Sequence, residues 1–188
     1  MSDDPRRARD LALLDQVDAL RRSRFTGTAW RLVREGRDPL QGGPSISRWC
    51  NGEFDVLYTS LERDGAIAEM HALLNLQPVF PSKIIFRTHR LKVSVKHALD
   101  LTDFSSLSKL GVDISCYHDR NYAVTQSIAD VAYFLGLDGI LVPSARWPCA
   151  NAVLFTDRIE AASLSVEATE PDPIDWTEWR KRASRLGG

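Results

Sequence analysis

Two charged side chains stand in segments that are otherwise apolar. Arg31 lies between Trp30 and Leu32 in a segment typical of a β-strand, and Glu69 lies on the apolar side of a predicted helix. A buried charge is costly unless it is paired, so Arg31 either meets a carboxylate inside the fold or binds an anionic ligand. Glu69 is likewise either the partner of a basic residue or a catalytic carboxylate.

Two loop segments contain further candidate residues. In the segment 41–52, glycines let the backbone approach a ligand, while Arg48 and Trp49 add a cation and a stacking surface. Such a loop can hold a phosphate, although taken alone it is typical of an ordinary surface loop. The segment 142–151 places Ser144 at the end of a strand, without the GxSxG context of an acyl-transfer nucleophile.

The composition restricts the class of protein. The chain has 188 residues, with 24 Lys+Arg against 25 Asp+Glu, a balance that argues against general nucleic-acid binding. Of these cations 19 are Arg and 5 are Lys, a bias that genomic base composition explains unless particular arginines stand out. No apolar run reaches the roughly 20 residues of a membrane helix, and residues 1–10 lack the apolar core of a secretory signal, so we expect a cytoplasmic protein.

The cysteines and histidines indicate neither a disulfide framework nor a metal site. The three cysteines have no CxxC spacing, which fits a reducing compartment, and the four histidines form no HExxH or other ligand-like pair. We therefore expect no metal cofactor. The cysteines are Cys50, Cys116 and Cys149, and the histidines are His71, His89, His97 and His118.

The hydrophobic spacing predicts the elements that must position these residues. Helices are predicted at about 5–24, beginning at Asp4-Pro5, and at 62–74, 121–135 and 174–186. Strands are predicted at 28–33, 55–59, 83–89, 93–101, 139–142, 152–155 and 162–166. Helices mixed with short strands, without regular βαβ alternation, predict an α+β fold with mixed, mostly antiparallel sheets and flanking helices.

We expect a single domain with two added helices. Residues 1–26 form an N-terminal amphipathic helix, residues 27–170 the catalytic domain, and residues 171–188 a helical tail packed on the same domain. Acidic residues dilute the positive face of the first helix, which favours packing on protein over lying on a membrane. Trp176 and Trp179 in the tail need a surface to cover.

In this order, the segments resemble the RES-domain family, named for an arginine, a glutamate and a serine. The resemblance covers roughly residues 28–157, and its ordered spacing makes it specific: Tyr58 follows Arg48 by ten residues and Glu69 follows Tyr58 by eleven. The matching motifs are Trp30-Arg31-Leu32, Gly42-Gly43 with Arg48-Trp49-Cys50-Asn51, Leu57-Tyr58-Thr59, Ala68-Glu69, Val142-Pro143-Ser144 and Asn151-Ala152-Val153-Leu154.

The resemblance implies a toxin of a type II toxin–antitoxin pair with a fold like the ADP-ribosyltransferases of the diphtheria-toxin kind. NAD+ would be its substrate, and an Xre-like antitoxin with a DUF2384 region its partner. The implied catalytic residues are Glu69, Arg31 and Tyr58. The implied NAD+-binding residues are Arg31, Arg48, Tyr58, Ser144 and Asn151.

Chemistry supports these implied roles. A carboxylate stabilises the oxocarbenium-like state in which the nicotinamide–ribose bond breaks, as Glu69 could. Arg31 and Arg48 could hold the diphosphate, and the ring of Tyr58 could pack against nicotinamide. The chain departs from the family in one respect, because residues 44–47 separate Gly43 from Arg48, so the phosphate-side loop could have another shape.

Three functions remain open, of which the resemblance implies the first two and the charged first helix and tryptophan tail suggest the third. The first is transfer of ADP-ribose to a cellular protein, for which a metabolic enzyme is a candidate, so that growth stops until an antitoxin binds. The second is NAD+ destruction by a phosphorylase or glycohydrolase, with phosphate or water as acceptor. The third is a binding module without enzymatic activity, which docks through its arginine-rich first helix and its tryptophan-bearing tail.

Overall fold

The computed structural model describes residues 9–186 of the chain. Its helices are α1 (Leu11–Asp18), α2 (Arg63–Leu74), α3 (Phe104–Lys109), α4 (Ala123–Phe134) and α5 (Trp176–Leu186). Its strands are β1 (Arg22–Arg34), β2 (Ile46–Ser47), β3 (Cys50–Asn51), β4 (Val56–Ser60), β5 (Phe86–Asp100), β6 (Gly139–Pro143), β7 (Ala150–Phe155) and β8 (Leu164–Thr169).

The main sheet has six strands in the order β1-β4-β7-β6-β5-β8. Because β1 also pairs with β5, five of these strands close into a ring and β8 extends from its outside. Strands β5 and β6 are parallel, and the other described pairs are antiparallel. The structure thus confirms the predicted α+β class with mostly antiparallel strands.

Helices cover the sheet on its apolar surfaces. Helix α4 buries Ile128 and Val131 in a core cluster shared with β5, β6 and β7. Helix α1 packs beside α4, where the guanidinium of Arg9 donates to both carboxylate oxygens of Asp130. Helix α1 therefore packs on its own chain. No helix within residues 9–186 has the length and apolar character needed to cross a membrane.

The C-terminal helix is anchored by its two tryptophans. Trp176 and Trp179 are each 5% exposed and join Ile67 of α2 and Phe86 of β5 in one core cluster. Burying roughly 200 Å² of one indole, at about 25 cal/mol per Å², stabilises the contact by up to about 5 kcal/mol. The prediction that these tryptophans need a surface to cover is confirmed.

Two predictions of elements differ clearly from the structure. The first helix was expected to run to about residue 24, but it ends at Asp18 and Arg22 already pairs with Leu99 of β5. The strands predicted at 83–89 and 93–101 form the single strand β5, in which buried and exposed residues alternate without a break from 90 to 95. The predicted helix start at Asp4-Pro5 lies outside the described residues, and the division into parts at residues 27 and 170 stays a prediction.

Candidate active site

A cleft of about 720 Å³ opens beside β1, β4 and α2. Its wall contains five of the six residues that the sequence singled out, while the sixth, Ser144, is buried behind it at 6% exposure. The five residues are Arg31, Arg48, Tyr58, Glu69 and Asn151. Segments spread over 120 residues of sequence are therefore brought to one place.

The strand register explains this convergence. Trp30 of β1 pairs with Ser60 of β4, Ser60 pairs with Asn151 of β7, and Asn151 pairs with Val142 of β6. These four residues form one row across four adjacent strands. Arg31 is one residue from this row, and Tyr58 and Ser144 are each two residues from it.

Helix α2 approaches this row closely because residue 65 is glycine. A Cβ atom at Gly65 would collide with Ser60 Oγ and would lie 2.5 Å from Cys149 Sγ. Four residues later, Glu69 lies on the same face of α2, because an α-helix has about 3.6 residues per turn. The close approach therefore brings the Glu69 carboxylate to β7 and to the loop after β6.

Glu69 is fixed by two donors on the same oxygen atom. Ser144 Oγ donates to Glu69 Oε1 at 2.6 Å, and Asn151 Nδ2 donates to it at 3.0 Å. The direction of the first bond is determined, because Ser144 Oγ also accepts from the backbone N–H groups of Arg146 at 3.1 Å and Trp147 at 3.2 Å. Both donors reach Oε1, so Oε2 has no protein donor in the described part of the chain.

Ser144 lies behind the cleft wall and positions the Glu69 carboxylate through its hydrogen bond. Asn151 both donates to the carboxylate and lines the cleft. Its Oδ1 atom is buried and has no hydrogen-bond partner within residues 9–186. The expected contacts of these two side chains with NAD+ stay predictions.

Arg31 has no carboxylate within ion-pair distance among the described residues. Its Nη1 atom instead donates to the carbonyl oxygens of Pro39 at 2.6 Å and Gln41 at 2.9 Å. Burial lowers the pKa of Arg31, and the negative charge of Asp38 partly opposes that effect. The internal ion pair considered from the sequence is thus absent in this part of the chain, and the guanidinium faces a cleft.

Arg48 lies in the two-residue turn between β2 and β3. Its guanidinium carbon is 4.7 Å from the ring centre of Tyr117 and 4.9 Å from that of Tyr122, and Nη2 donates to the carbonyl oxygen of Asp119 at 3.0 Å. These contacts hold the side chain without neutralising its charge. Arg48 therefore remains able to bind an anion.

The Tyr58 hydroxyl supports the same hairpin. It accepts from the backbone N–H of Trp49 at 2.9 Å and forms a 2.7 Å hydrogen bond with Ser47 Oγ. Burial raises the pKa of Tyr58, so the phenol stays protonated at neutral pH and can donate to Ser47. The ring of Tyr58 lines the cleft, and its packing against nicotinamide stays a prediction.

The sequence reasoning missed four arginines that also line the cleft: Arg34, Arg37, Arg120 and Arg146. In the sequence nothing distinguishes them from the other arginines of the chain, because only the fold brings them to the same wall. Asp38 and Glu69 are the carboxylate residues of the described lining, so the cleft has a large excess of positive charge. Such a cleft attracts anionic ligands.

The site residues suit an anionic ligand better than a metal ion. No group of three or more His, Cys, Asp or Glu side chains that could hold a metal occurs within residues 9–186. The expected lack of a metal cofactor stays a prediction. A fixed carboxylate in a cleft of cations can stabilise positive charge on a ligand whose phosphates the arginines bind.

Comparison with known proteins gives one family match and several similar proteins. The family model described as the RES domain matches residues 28–177. The probable NAD(+) phosphorylase Rv3189 of Mycobacterium tuberculosis is 32% identical over 152 residues, which cover 77% of this chain and 72% of that protein. The NAD(+) phosphorylase MbcT of Mycobacterium bovis is 23% identical over 181 residues, covering 92% of this chain and 97% of MbcT.

The fold also has a counterpart among solved structures. A chain in the crystal structure of the Mycobacterium tuberculosis MbcT–MbcA toxin–antitoxin complex superposes with a TM-score of 0.81. The match covers 94% of this chain and 100% of that chain at 20% sequence identity. At this identity the similarity shows a shared fold.

Proposed function

Because the chain belongs to the RES-domain family, we propose that it cleaves NAD+ at the nicotinamide–ribose bond and transfers the ADP-ribosyl group to inorganic phosphate. The observation that carries this proposal is the Glu69 carboxylate, held by Ser144 and Asn151 in a wall rich in arginine. The names of the two NAD(+) phosphorylase relatives favour phosphate as the acceptor.

The reaction exchanges one bond to the anomeric carbon of the nicotinamide ribose, called C1′ here and numbered C1″ in the ADP-ribose product, for another. The C1′–N bond breaks, and its electron pair goes to the nicotinamide nitrogen, which leaves as a neutral ring. The developing positive charge on the ribose is stabilised by the Glu69 carboxylate. An oxygen of hydrogen phosphate then forms the new bond to C1′, which gives ADP-ribose 1″-phosphate and releases the phosphate proton to water.

The arginines supply binding and orientation. Arg31 and Arg48 are the residues we assign to the diphosphate, because each guanidinium is held by backbone carbonyl groups yet lacks an ion-pair partner within residues 9–186. Holding the diphosphate fixes the ribose while nicotinamide leaves. Tyr58 contributes through the hairpin that carries Arg48, and its ring is the surface we assign to nicotinamide.

We also propose that the protein is the toxin of a toxin–antitoxin pair and acts in the cytoplasm. The fold similarity to a chain of the MbcT–MbcA toxin–antitoxin complex supports this role. The partner would be an Xre-like antitoxin with a DUF2384 region that covers the cleft. A purified complex of the two proteins should therefore cleave NAD+ much more slowly than the toxin alone, and cleavage at the full rate contradicts an occluded cleft.

Labelled NAD+ distinguishes the three acceptors. The protein is incubated with NAD+ labelled in the adenylate part, with or without phosphate and with or without cell lysate. We expect ADP-ribose 1″-phosphate to form in proportion to phosphate. A labelled protein band without that product supports the protein acceptor and overturns the phosphorylase proposal. Free ADP-ribose formed at the same rate without phosphate supports water as the acceptor and also overturns that proposal.

The Glu69→Gln variant tests whether the carboxylate performs the reaction. It keeps the size and the hydrogen-bond acceptor but removes the charge, so we expect kcat for nicotinamide release to fall by at least about 100-fold. Glu160→Gln is the matched control, since Glu160 is a surface carboxylate whose side chain is 77% exposed. A Glu69→Gln variant that cleaves NAD+ as fast as the parent would show that the carboxylate does not perform the reaction. A variant that has lost NAD+ cleavage but is as toxic as the parent would indicate the non-enzymatic binding module.

A further inference from the structure

The cleft contains more cations than the substrate needs. None of its six arginines forms an ion pair within residues 9–186, whereas six arginines elsewhere do. The cleft arginines are Arg31, Arg34, Arg37, Arg48, Arg120 and Arg146. The paired arginines are Arg9, Arg22, Arg63, Arg87, Arg90 and Arg182.

The charge balance points to a second anion in the same cleft. Asp38 and Glu69 offset part of the positive charge of the described lining, and four cationic charges remain. The diphosphate of NAD+ is a dianion and would neutralise half of that remainder. Like charges at close range repel one another, so the residual charge favours binding of another anion of similar charge.

Arg146 is the cleft cation that the chain places beside the proposed reaction centre. Its backbone N–H donates to Ser144 Oγ, and Ser144 Oγ in turn donates to Glu69. Since consecutive Cα atoms are about 3.8 Å apart, the Cα atoms of Arg146 and Ser144 are at most ~7 Å apart. The side chain of Arg146 therefore extends from the same loop whose Ser144 holds the Glu69 carboxylate.

Arg146 also differs from the other half-buried arginines of the cleft. The guanidinium groups of Arg31 and Arg48 donate to backbone carbonyl oxygens. The side chain of Arg146 makes no hydrogen bond and no ion pair in the part of the chain that the structure describes, although the residue is half-buried in the cleft wall. All five of its N–H donors are thus available to a ligand.

We propose that Arg146 binds the acceptor phosphate of the reaction and presents it to the ribose carbon beside Glu69. This inference rests on the proposed phosphorolysis of NAD+, and it assigns the acceptor a subsite separate from the diphosphate site of Arg31 and Arg48. A planar guanidinium donates two parallel hydrogen bonds to a phosphate, and this bidentate contact fixes the phosphate's orientation as well as its position.

Steady-state kinetics with two varied substrates test the assignment. Nicotinamide release is measured while phosphate is varied at saturating NAD+, and then while NAD+ is varied at saturating phosphate, at constant ionic strength. For Arg146→Ala we expect the KM for phosphate to rise at least about tenfold, with the KM for NAD+ within about twofold of the parent. Arg146→Lys keeps the charge but cannot donate two parallel hydrogen bonds, so its KM for phosphate should lie between those of the parent and the alanine variant.

The controls separate failure of this inference from failure of the proposed function. Arg158→Ala removes an arginine that stacks on Tyr133 outside the cleft, and it should leave both KM values unchanged. If the parent depends on phosphate but Arg146→Ala keeps the parental KM for phosphate, or raises both KM values equally, Arg146 does not hold the acceptor. If nicotinamide release by the parent does not depend on phosphate, the phosphorylase proposal itself is wrong.

The variants are suited to this test because the hydrogen bond to Ser144 uses the backbone of residue 146 and is retained whatever the side chain. Thermal unfolding of each variant checks that the fold is intact. Titration of inorganic phosphate into the folded Glu69→Gln protein gives a readout besides activity, with NAD+ present at saturation so that the diphosphate site of Arg31 and Arg48 is occupied. Binding that weakens at least about tenfold on adding Arg146→Ala supports the subsite, and unchanged binding overturns it.

Discussion

Replacing Ser144 with alanine should reduce catalysis by disturbing Glu69, without weakening NAD+ binding. The change removes the 2.6 Å bond from Ser144 Oγ to Glu69 Oε1 and leaves Asn151 as the one described donor to that carboxylate. A hydrogen bond to a charged group contributes about 1.5–3 kcal/mol. If that stabilisation is needed to orient Glu69 in the transition state, kcat falls by about 10- to 100-fold while the KM for NAD+ changes little.

The same substitution should also lower the stability of the fold. Ser144 is 6% exposed and accepts from the N–H groups of Arg146 and Trp147, which alanine would leave without their acceptor. The cost is about 1–3 kcal/mol, and for a chain of this length about 1 kcal/mol lowers Tm by roughly 2–4 °C. Ser127→Ala is the matched control, because the Ser127 hydroxyl donates to the backbone of its own helix, α4.

A double-mutant cycle identifies a residue that acts through another. In the Glu69→Gln background the charge that Ser144 orients is absent, so adding Ser144→Ala should reduce kcat by less than about threefold further. The full 10- to 100-fold loss in that background would refute the reasoning, since Ser144 would then act independently of Glu69. Unchanged kcat in the single variant, together with a lower Tm, would show that Ser144 has a structural role alone.

Two further predictions concern the packing and the pH dependence of the fold. Gly65→Ala introduces a Cβ atom 2.5 Å from Cys149 Sγ, so we expect a lower kcat and a loss of about 1–3 kcal/mol in the free energy of unfolding, measured with denaturant. Gly27→Ala is the control, because its Cβ atom would make an ordinary 3.5 Å contact. Equal effects of the two substitutions would contradict the proposed close approach of α2. Burial and the positive charges of two neighbouring arginines lower the pKa of His89, so the unfolded chain takes up the proton first as pH falls below about 6.5. The free energy of unfolding should therefore decrease as the pH falls below about 6.5, and should decrease less in His89→Gln. Equal slopes in the two proteins would exclude His89 as the cause.

Elements with a strong local pattern could be predicted from the sequence. The helix predicted at 62–74 is α2 at Arg63–Leu74, and the helix predicted at 121–135 is α4 at Ala123–Phe134. Each shows apolar residues at helical spacing over a full element. The first helix was predicted too long because Leu20 continues its spacing, although Arg22 already pairs with β5, about 75 residues away in sequence. A local pattern contains no information about such a pairing partner.

The site was predictable as a set of residues but not as an arrangement. Glu69 and Arg31 were recognisable because each is a charge in an apolar segment. Arg48 and Ser144 were recognisable by their loop segments, and the family resemblance implied a role for each residue of the set. The arrangement depends on the strand register and on how closely α2 approaches the sheet. These two features place Ser144 behind Glu69 and bring further arginines to the cleft. Both are long-range properties, so single segments could not reveal them.

The residues that separate Gly43 from Arg48, where the sequence departs from the family pattern that it resembles, contribute a strand to a hairpin beside the candidate site. Ile46 and Ser47, the second half of this segment, become strand β2, which pairs with β3 and leaves Arg48 in the turn between them. The hairpin is then fixed from two sides, because the Tyr58 hydroxyl binds it at Ser47 and Trp49, and Gln126 Nε2 donates to the carbonyl oxygen of Ser47 at 2.8 Å. Strand pairing satisfies backbone groups that a longer irregular loop would leave to water, and the two side-chain anchors restrict the hairpin's motion. Ile46 and Ser47 therefore form part of the scaffold that holds Arg48 at the cleft.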